Sequence, residues 1–178
     1  MNIPNMLSVF RLCLVPAFVI LYFSGLVHAK YYAALTYFLA SFTDFLDGYI
    51  ARRFNLITNL GRVLDPLGDK MFTLAALSCL AIDEIIPLWA LCLFFTKEML
   101  MGIGGLWVHK RLQKEMPSAN MLGKTATVLF FVVCVILLVV DVPKNVSIPL
   151  ISAALSVSMM ALVSYLISFF KLINEGSG

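Results

Sequence analysis

Charged side chains are scarce in this chain, at 13% of 178 residues, where an ordinary soluble domain carries about a quarter. Apolar residues make up 61% and the mean hydropathy is +0.96. A soluble domain of this size keeps too much of its surface exposed to hide that apolar content, so lipid must be part of its solvent. This excludes a soluble enzyme and a disordered chain. A net charge of +3 is too small to read a polyanion from a basic face, so no nucleic-acid partner is expected. Histidine is nearly absent: His28 and His109 have no partners at ligand spacing, which removes a histidine-built metal or acid–base centre. Cysteine is sparse too. Cys13, Cys79, Cys92 and Cys134 form no CxxC pair, which argues against a disulfide framework or a zinc knuckle and reads as small apolar packing. The N-terminus has no cationic stretch before its apolar run, and Arg11 interrupts that run, unlike a cleaved signal peptide. Linkers, low-complexity stretches and internal repeats are lacking, and one domain, 1–178, is expected.

What is present is a series of apolar segments. Six are drawn: Asn5 to Phe23, Tyr31 to Ile50, Leu64 to Ile82, Ile85 to Val108, Ala126 to Val140 and Val146 to Phe170. A bilayer core of about 30 Å needs about 20 helical residues, so the fifth is short and is expected to begin nearer Met121. Helices satisfy their own backbone in lipid. The expected fold is therefore all-α, a polytopic membrane protein with six transmembrane helices. Asn2-Ile-Pro-Asn5 with Arg11 is expected to form an amphipathic N-terminal segment along the headgroups. Pro4 suits a helix start, whereas Pro16 lies inside and predicts a kink or the true point of membrane crossing.

Connections alternate in charge. Arg52, Arg53 and Arg62 lie between the second and third spans, and Lys110, Arg111, Lys114 and Lys124 between the fourth and fifth. The opposite side carries Lys30 and Lys144 with Asp83, Glu84 and Asp141. The positive-inside rule then places both termini and the basic loops in the cytoplasm, and a bacterial inner membrane is the expected location. Trp89 and Trp107 fit an interfacial belt, Gly102, Gly104 and Gly105 fit close helix packing, and the methionines around 99–101 and 159–160 fit core filling.

The acidic residues are not spread evenly. Asp44 and Asp47 stand three apart, and Asp65 and Asp69 four apart, so each pair shares a helix face. Two helices joined by a turn would direct all four carboxylates to one cavity. Carboxylates at the end of a membrane helix are costly and usually functional, and four together repel unless neutralised. Hard divalent cations are the natural counter-charge, and two such ions about 4 Å apart suit displacement at phosphorus. Gly48 and Ala51 leave room for a ligand against the helix backbone, and Arg52 offers a bidentate grip on phosphate. The rival from another class is a non-enzymatic ion-binding membrane protein, which would pass ions without a nucleotide.

The pattern D-x2-D-G-x2-A-R-x8-G-x3-D-x3-D, made here by Asp44, Asp47, Gly48, Ala51, Arg52, Gly61, Asp65 and Asp69, resembles the signature of the CDP-alcohol phosphatidyltransferase family at every fixed position. Asn2-Ile-Pro-Asn5 through Arg11 is similar to the branches that use CDP-diacylglycerol, the phosphatidylglycerophosphate and cardiolipin synthases. The resemblance implies a homodimeric, six-helix membrane enzyme in which Asp44, Asp47, Asp65 and Asp69 hold two Mg²⁺ or Mn²⁺ ions. It implies that Asp69 is also the general base, and that Asp44, Gly48, Ala51, Arg52 and Gly61 hold the cytidine diphosphate. The acceptor alcohol would attack the phosphorus carrying diacylglycerol, and CMP would leave.

A second polar patch points to the acceptor. Lys97 and Glu98 interrupt the fourth span; they read either as a ligand site or as charges paired for packing. Lys110 and Arg111 read equally as solvated positive-inside residues or as ligand-binding ones. Lys124 and Thr125 open the fifth span in Gly123-Lys124-Thr125-Ala126-Thr127, and a helix N-terminus with a lysine seats phosphate. Phosphatidylglycerophosphate synthases resemble this with an Arg-Glu pair and a G-K-x-K-T stretch, where this chain has Lys97-Glu98 and Ala126 in place of the second lysine. Glycerol 3-phosphate is the expected acceptor, with phosphatidylglycerol, used by cardiolipin synthases, as the alternative.

Overall fold

The computed structural model describes residues 3–53, 61–112 and 121–176. Among these residues there are six helices and no strand: α1 (Ile3–Tyr22), α2 (Ala29–Arg53), α3 (Gly61–Ile82), α4 (Leu88–Leu112), α5 (Met121–Val139) and α6 (Lys144–Gly176). They correspond one for one to the expected apolar segments, and the all-α expectation holds. The fifth does begin at Met121. Among the described residues three helices are long and apolar enough to cross a membrane, over Leu88–Gly105, Met121–Val139 and Lys144–Phe170, and Met6–Tyr22 and Lys70–Ile82 are shorter apolar stretches. Pro16 leaves α1 continuous, and α6 takes Pro149 into its second turn.

The chain divides into two compact units, one from Met1–Glu84 with Cys134–Val142, the other from Ile85–Val133 with Pro143–Gly178. In the first unit α1 packs against both α2 and α3. Each presents a face at helical spacing: Ser8, Arg11, Phe18 and Tyr22 on α1; Ala29, Ala33, Tyr37 and Ala40 on α2; Phe72, Ala76, Cys79 and Leu80 on α3, all buried. The centre is aromatic. The Phe18 ring lies 6.2 Å from Tyr37 and 5.6 Å from Phe72, and Tyr37 lies 5.6 Å from Phe72. Alanines on either side let the helices approach, as small residues do where lipid removes the hydrophobic drive to associate.

Both ends of this unit are polar. At one end the Tyr22 hydroxyl donates to Asp83 Oδ2 at 2.7 Å, and Lys30 reaches Asp83 at 3.8 Å and Asp141 at 3.7 Å. This ties the end of α1 and the start of α2 to the segments that follow α3 and α5. At the other end Arg11 meets Asp44. Arg11 and Tyr22 lie on one face of α1, about 16 Å apart by helix rise. Arg11 therefore does not lie along the headgroups as expected. It is buried, with 1% of its surface exposed, because α1 turns that face inward.

In the second unit α4 packs against α6. The Ser147 hydroxyl donates to the Ile85 carbonyl at 2.6 Å, the Tyr165 hydroxyl to the Met101 carbonyl at 2.9 Å, and the Trp107 and Phe169 rings lie 5.7 Å apart. These contacts advance together along both helices, so α4 and α6 run parallel and α5 runs back. Gly104 and Gly105 admit Tyr165: a Cβ at either would stand 3.2 Å or 3.4 Å from its hydroxyl, whereas Gly102 has nothing within 4 Å. Close packing thus explains the last two glycines and not the first. Trp89 and Trp107 are both exposed and lie about 27 Å apart along α4, close to the thickness of a hydrocarbon core. Among the cysteines, Cys79 and Cys134 are buried but Cys13 and Cys92 are exposed. Met99 and Met160 are also exposed, so they face outward instead of filling a core. Leu35, Phe38, Leu39 and Phe42 of α2 are exposed as well, an apolar surface that suits lipid.

Replacing Phe72 by Ala should lower stability by about 3–5 kcal/mol, the usual loss for a buried aromatic. Ile82→Ala, at a residue 67% exposed, should change little. Thermal unfolding in detergent separates them, and equal losses would show that the aromatic cluster is not the centre of this unit.

Candidate active site

The inner face of α2 runs Ala33, Tyr37, Ala40, Asp44, so Asp44 continues the buried stripe at the polar end. There it forms an ion pair with Arg11 of α1. From α3, buried Gly68 comes against the same arginine: a Cβ at 68 would touch Arg11 Cδ at 3.4 Å and Nη1 at 3.6 Å. Three helices therefore converge on one guanidinium. The pair is asymmetric, with 2% of the Arg11 side chain exposed against 38% of Asp44. The cation is sealed inside while the carboxylate is partly exposed. A carboxylate oxygen is the kind of donor a hard divalent cation takes, and Asp44 supplies one that is partly exposed.

The remaining signature residues are placed by backbone. Asp47, Gly48, Ala51 and Arg52 follow Asp44 within α2, and Gly61, Asp65 and Asp69 lie in α3. Asp65 and Asp69 precede Phe72 and Ala76 at the spacing 65, 69, 72, 76, which is one helix face. The side chains of Asp47, Ala51, Arg52, Asp65 and Asp69, like those of Lys110 and Arg111 in α4, lie outside the described part of the structure, and so does Lys114 altogether. Among the described residues no group of three or more His, Cys, Asp or Glu gathers around an ion, and Asp44 is the quartet member with a described side chain.

The expected acceptor residues fall in the second unit. Lys97 is buried, with Nζ 2.5 Å from Glu98 Oε1 and 5.7 Å from the centre of the Phe94 ring, within cation–π range. Sequence neighbours on a helix do not face each other, so this pair closes by the reach of its side chains. Phe94 touches Phe130 of α5, ring centres 4.9 Å apart. Lys97 lies beyond Phe94 along α4, and Lys124 lies about 9 Å from Phe130 along the returning α5. Both cations therefore stand on the same side of that contact. Lys124 is exposed. With Thr125 it heads a groove of about 630 Å³ lined by Val128, Leu129, Val132 and Val157. The Thr125 hydroxyl donates to the Leu122 carbonyl at 3.0 Å, so its proton is committed to its own helix.

Sequence reasoning missed the role of Arg11. The available signal was its register with Phe18, seven residues on, in a helix too apolar to hold an unpartnered charge. It also missed the Tyr22–Asp83–Lys30 cluster, in which Asp83 is 61 residues from Tyr22 in the chain.

The profile of the CDP-alcohol phosphatidyltransferases matches residues 1–170. The chain belongs to this family. As a CDP-alcohol phosphatidyltransferase it is a membrane transferase of phospholipid biosynthesis. It is 33% identical over 171 residues to the CDP-diacylglycerol–glycerol-3-phosphate 3-phosphatidyltransferase of Bacillus subtilis, covering 89% of this chain and 88% of that one. It is 30% identical over 130 residues to the Escherichia coli protein of the same name, covering 71% and 70%. It is 39% identical over 131 residues to the cardiolipin synthase (CMP-forming) of Streptomyces coelicolor, covering 71% of this phosphatidyltransferase and 60% of that protein.

Breaking the Lys97–Glu98 pair from one side should be worse than removing it. Lys97→Met leaves a largely buried carboxylate, a situation that costs about 3–5 kcal/mol, whereas an apolar pair of similar volume is often neutral. Thermal unfolding in detergent should rank Lys97→Met well below Lys97→Met/Glu98→Leu. The reverse order would show that the pair is not sealed from water.

Proposed function

We propose that this chain transfers the phosphatidyl group of CDP-diacylglycerol to glycerol 3-phosphate, releasing CMP. The observation that carries it is the uninterrupted aspartate signature in a chain aligned along nearly its whole length with a relative named for that reaction. Asp44, Asp47, Asp65 and Asp69 would hold two divalent ions, Mg²⁺ or Mn²⁺. Such ions, when bound, supply stabilisation of the charge that develops on the pyrophosphate. Asp44, Gly48, Ala51, Arg52 and Gly61 hold the cytidine diphosphate, the two small residues by leaving space and Arg52 by its fork of donors. Asp69 takes the proton of the acceptor hydroxyl. The acceptor oxygen forms a bond to the phosphorus that carries diacylglycerol, the bond from that phosphorus to CMP breaks, and CMP leaves with the bonding pair.

Lys97, Lys110, Arg111, Lys124 and Thr125 form the acceptor patch, Lys124 meeting the phosphate and Thr125 offering oxygen lone pairs only. The second reading is a phosphatidylglycerol acceptor. It is favoured by the apolar groove below Lys124, which suits an acyl chain, and by Ala126 in place of a second lysine.

In this reading all six helices cross the membrane as one domain, each being 19 residues or longer. Both termini and the aspartates face the cytoplasm, by the arrangement of lysine and arginine, in a bacterial inner membrane. The molecule is a homodimer, which its mass in detergent would test.

Purified protein with Mn²⁺ and CDP-diacylglycerol should release CMP when given glycerol 3-phosphate. CMP release with phosphatidylglycerol alone would install the second reading, and ion flux without any CMP would end both. Asp69→Asn should lower kcat by about 10²–10⁴-fold, the usual worth of a general base, with nucleotide binding retained. Lys124→Ala should raise KM for glycerol 3-phosphate far more than for CDP-diacylglycerol. Equal effects on the two would remove Lys124 from the acceptor patch.

A further inference from the structure

We propose that Arg11 is a positioning residue for the aspartate quartet: it fixes the orientation in which Asp44 presents its carboxylate. The inference rests on the ion-holding role proposed for the quartet. Its grounds are the convergence of three helices on one side chain. Arg11 is buried on the inner face of α1, where a charge persists only if well partnered. It pairs with the first aspartate of the signature. The guanidinium holds Oδ1 of Asp44 while the carboxylate remains 38% exposed, so the group is anchored and still reachable from outside.

Gly68 completes the arrangement. It directly precedes Asp69 and lies in contact distance of Arg11. Alanine would just fill that contact, whereas a larger side chain would push the guanidinium aside. The backbone that carries Asp69 thus lies against the arginine that orients Asp44, and one side chain relates α2 to α3 at the site. An arginine suits this because its planar fork sets direction as well as charge.

The sign of the effect on ion binding separates positioning from plain electrostatics. A cation beside carboxylates repels a divalent ion, so its removal would by charge alone tighten binding. Loss of an orienting partner weakens binding, by about 10–100-fold at metal sites. Mn²⁺ binding to the purified protein in detergent, without lipid or nucleotide, reads this directly through the free-ion resonance signal. Asp44→Asn is the reference, and thermal unfolding reports the fold. Arg11→Gln should weaken Mn²⁺ by about 10–100-fold and lower kcat while KM for glycerol 3-phosphate stays within a few-fold. Arg11→Lys, which keeps the charge without the fork, should fall between. Gly68→Val, which keeps the arginine and displaces it, should reproduce Arg11→Gln, and Gly68→Ala should not. If Arg11→Gln fails to fold, Arg11→Lys and Gly68→Val carry the test. Folded variants that bind Mn²⁺ as tightly as the natural protein, or more tightly, overturn the proposal while leaving the quartet's role intact, provided Asp44→Asn weakens the ion. Mn²⁺ binding that Asp44→Asn does not affect removes the quartet's role and this inference together.

Discussion

A carboxylate at the end of a membrane helix bundle needs a cation, and the cation must come from within the fold or from solution. At the signature end of the first unit the fold supplies its own, the Arg11 guanidinium. Everything about α1 follows from that requirement. Its inner face must be apolar enough to pack Phe18 against Tyr37 and Phe72 and still deliver a charge to Asp44. A glycine must stand where the guanidinium passes α3. Removing water raises the strength of each such interaction and the cost of leaving one unmade, so helix packing and site electrostatics are one problem here.

The first unit is layered as a result. A polar end built on signature residues and another built on Tyr22, Lys30 and Asp83 are separated by an aromatic layer. The layers do different work. The aromatic middle, with alanines around it, sets how closely the helices approach. The Lys30 end ties loops together through long, partly exposed ion pairs, of the kind that contribute little energy singly. The Arg11 end holds an ion pair whose cation is buried and whose carboxylate is partly exposed, which suits a group that must be both fixed and accessible.

The second unit treats charge differently. Lys97 and Glu98 neutralise each other within α4, and Lys97 rests against Phe94. Lys124 stays exposed above an apolar groove. Among the described residues of this unit, one lysine is thus paired within its helix and another is exposed beside an apolar wall.

Much of this was legible without coordinates. Helix number and approximate extent came from apolar runs whose length is dictated by bilayer thickness and by backbone hydrogen bonding, both local properties. The aspartate signature was legible because its spacing is a helical face repeated on two neighbouring helices. Arg11 was not. Its role depends on α1 lying against Asp44 and Gly68, which are 33 and 57 residues away, and a solitary arginine in an apolar run reads equally well as a headgroup anchor. The exposure of Cys13, Cys92, Met99 and Met160 was hidden for the same reason, since composition does not say which side of a helix meets lipid. The order of residues determined the membrane solvent, the helices and the spacing of the acidic residues along them, because these depend on contacts within a few turns. Only the tertiary structure decided which charge meets which, because an ion pair between helices depends on how their faces are turned, and the turning of a face is settled by packing.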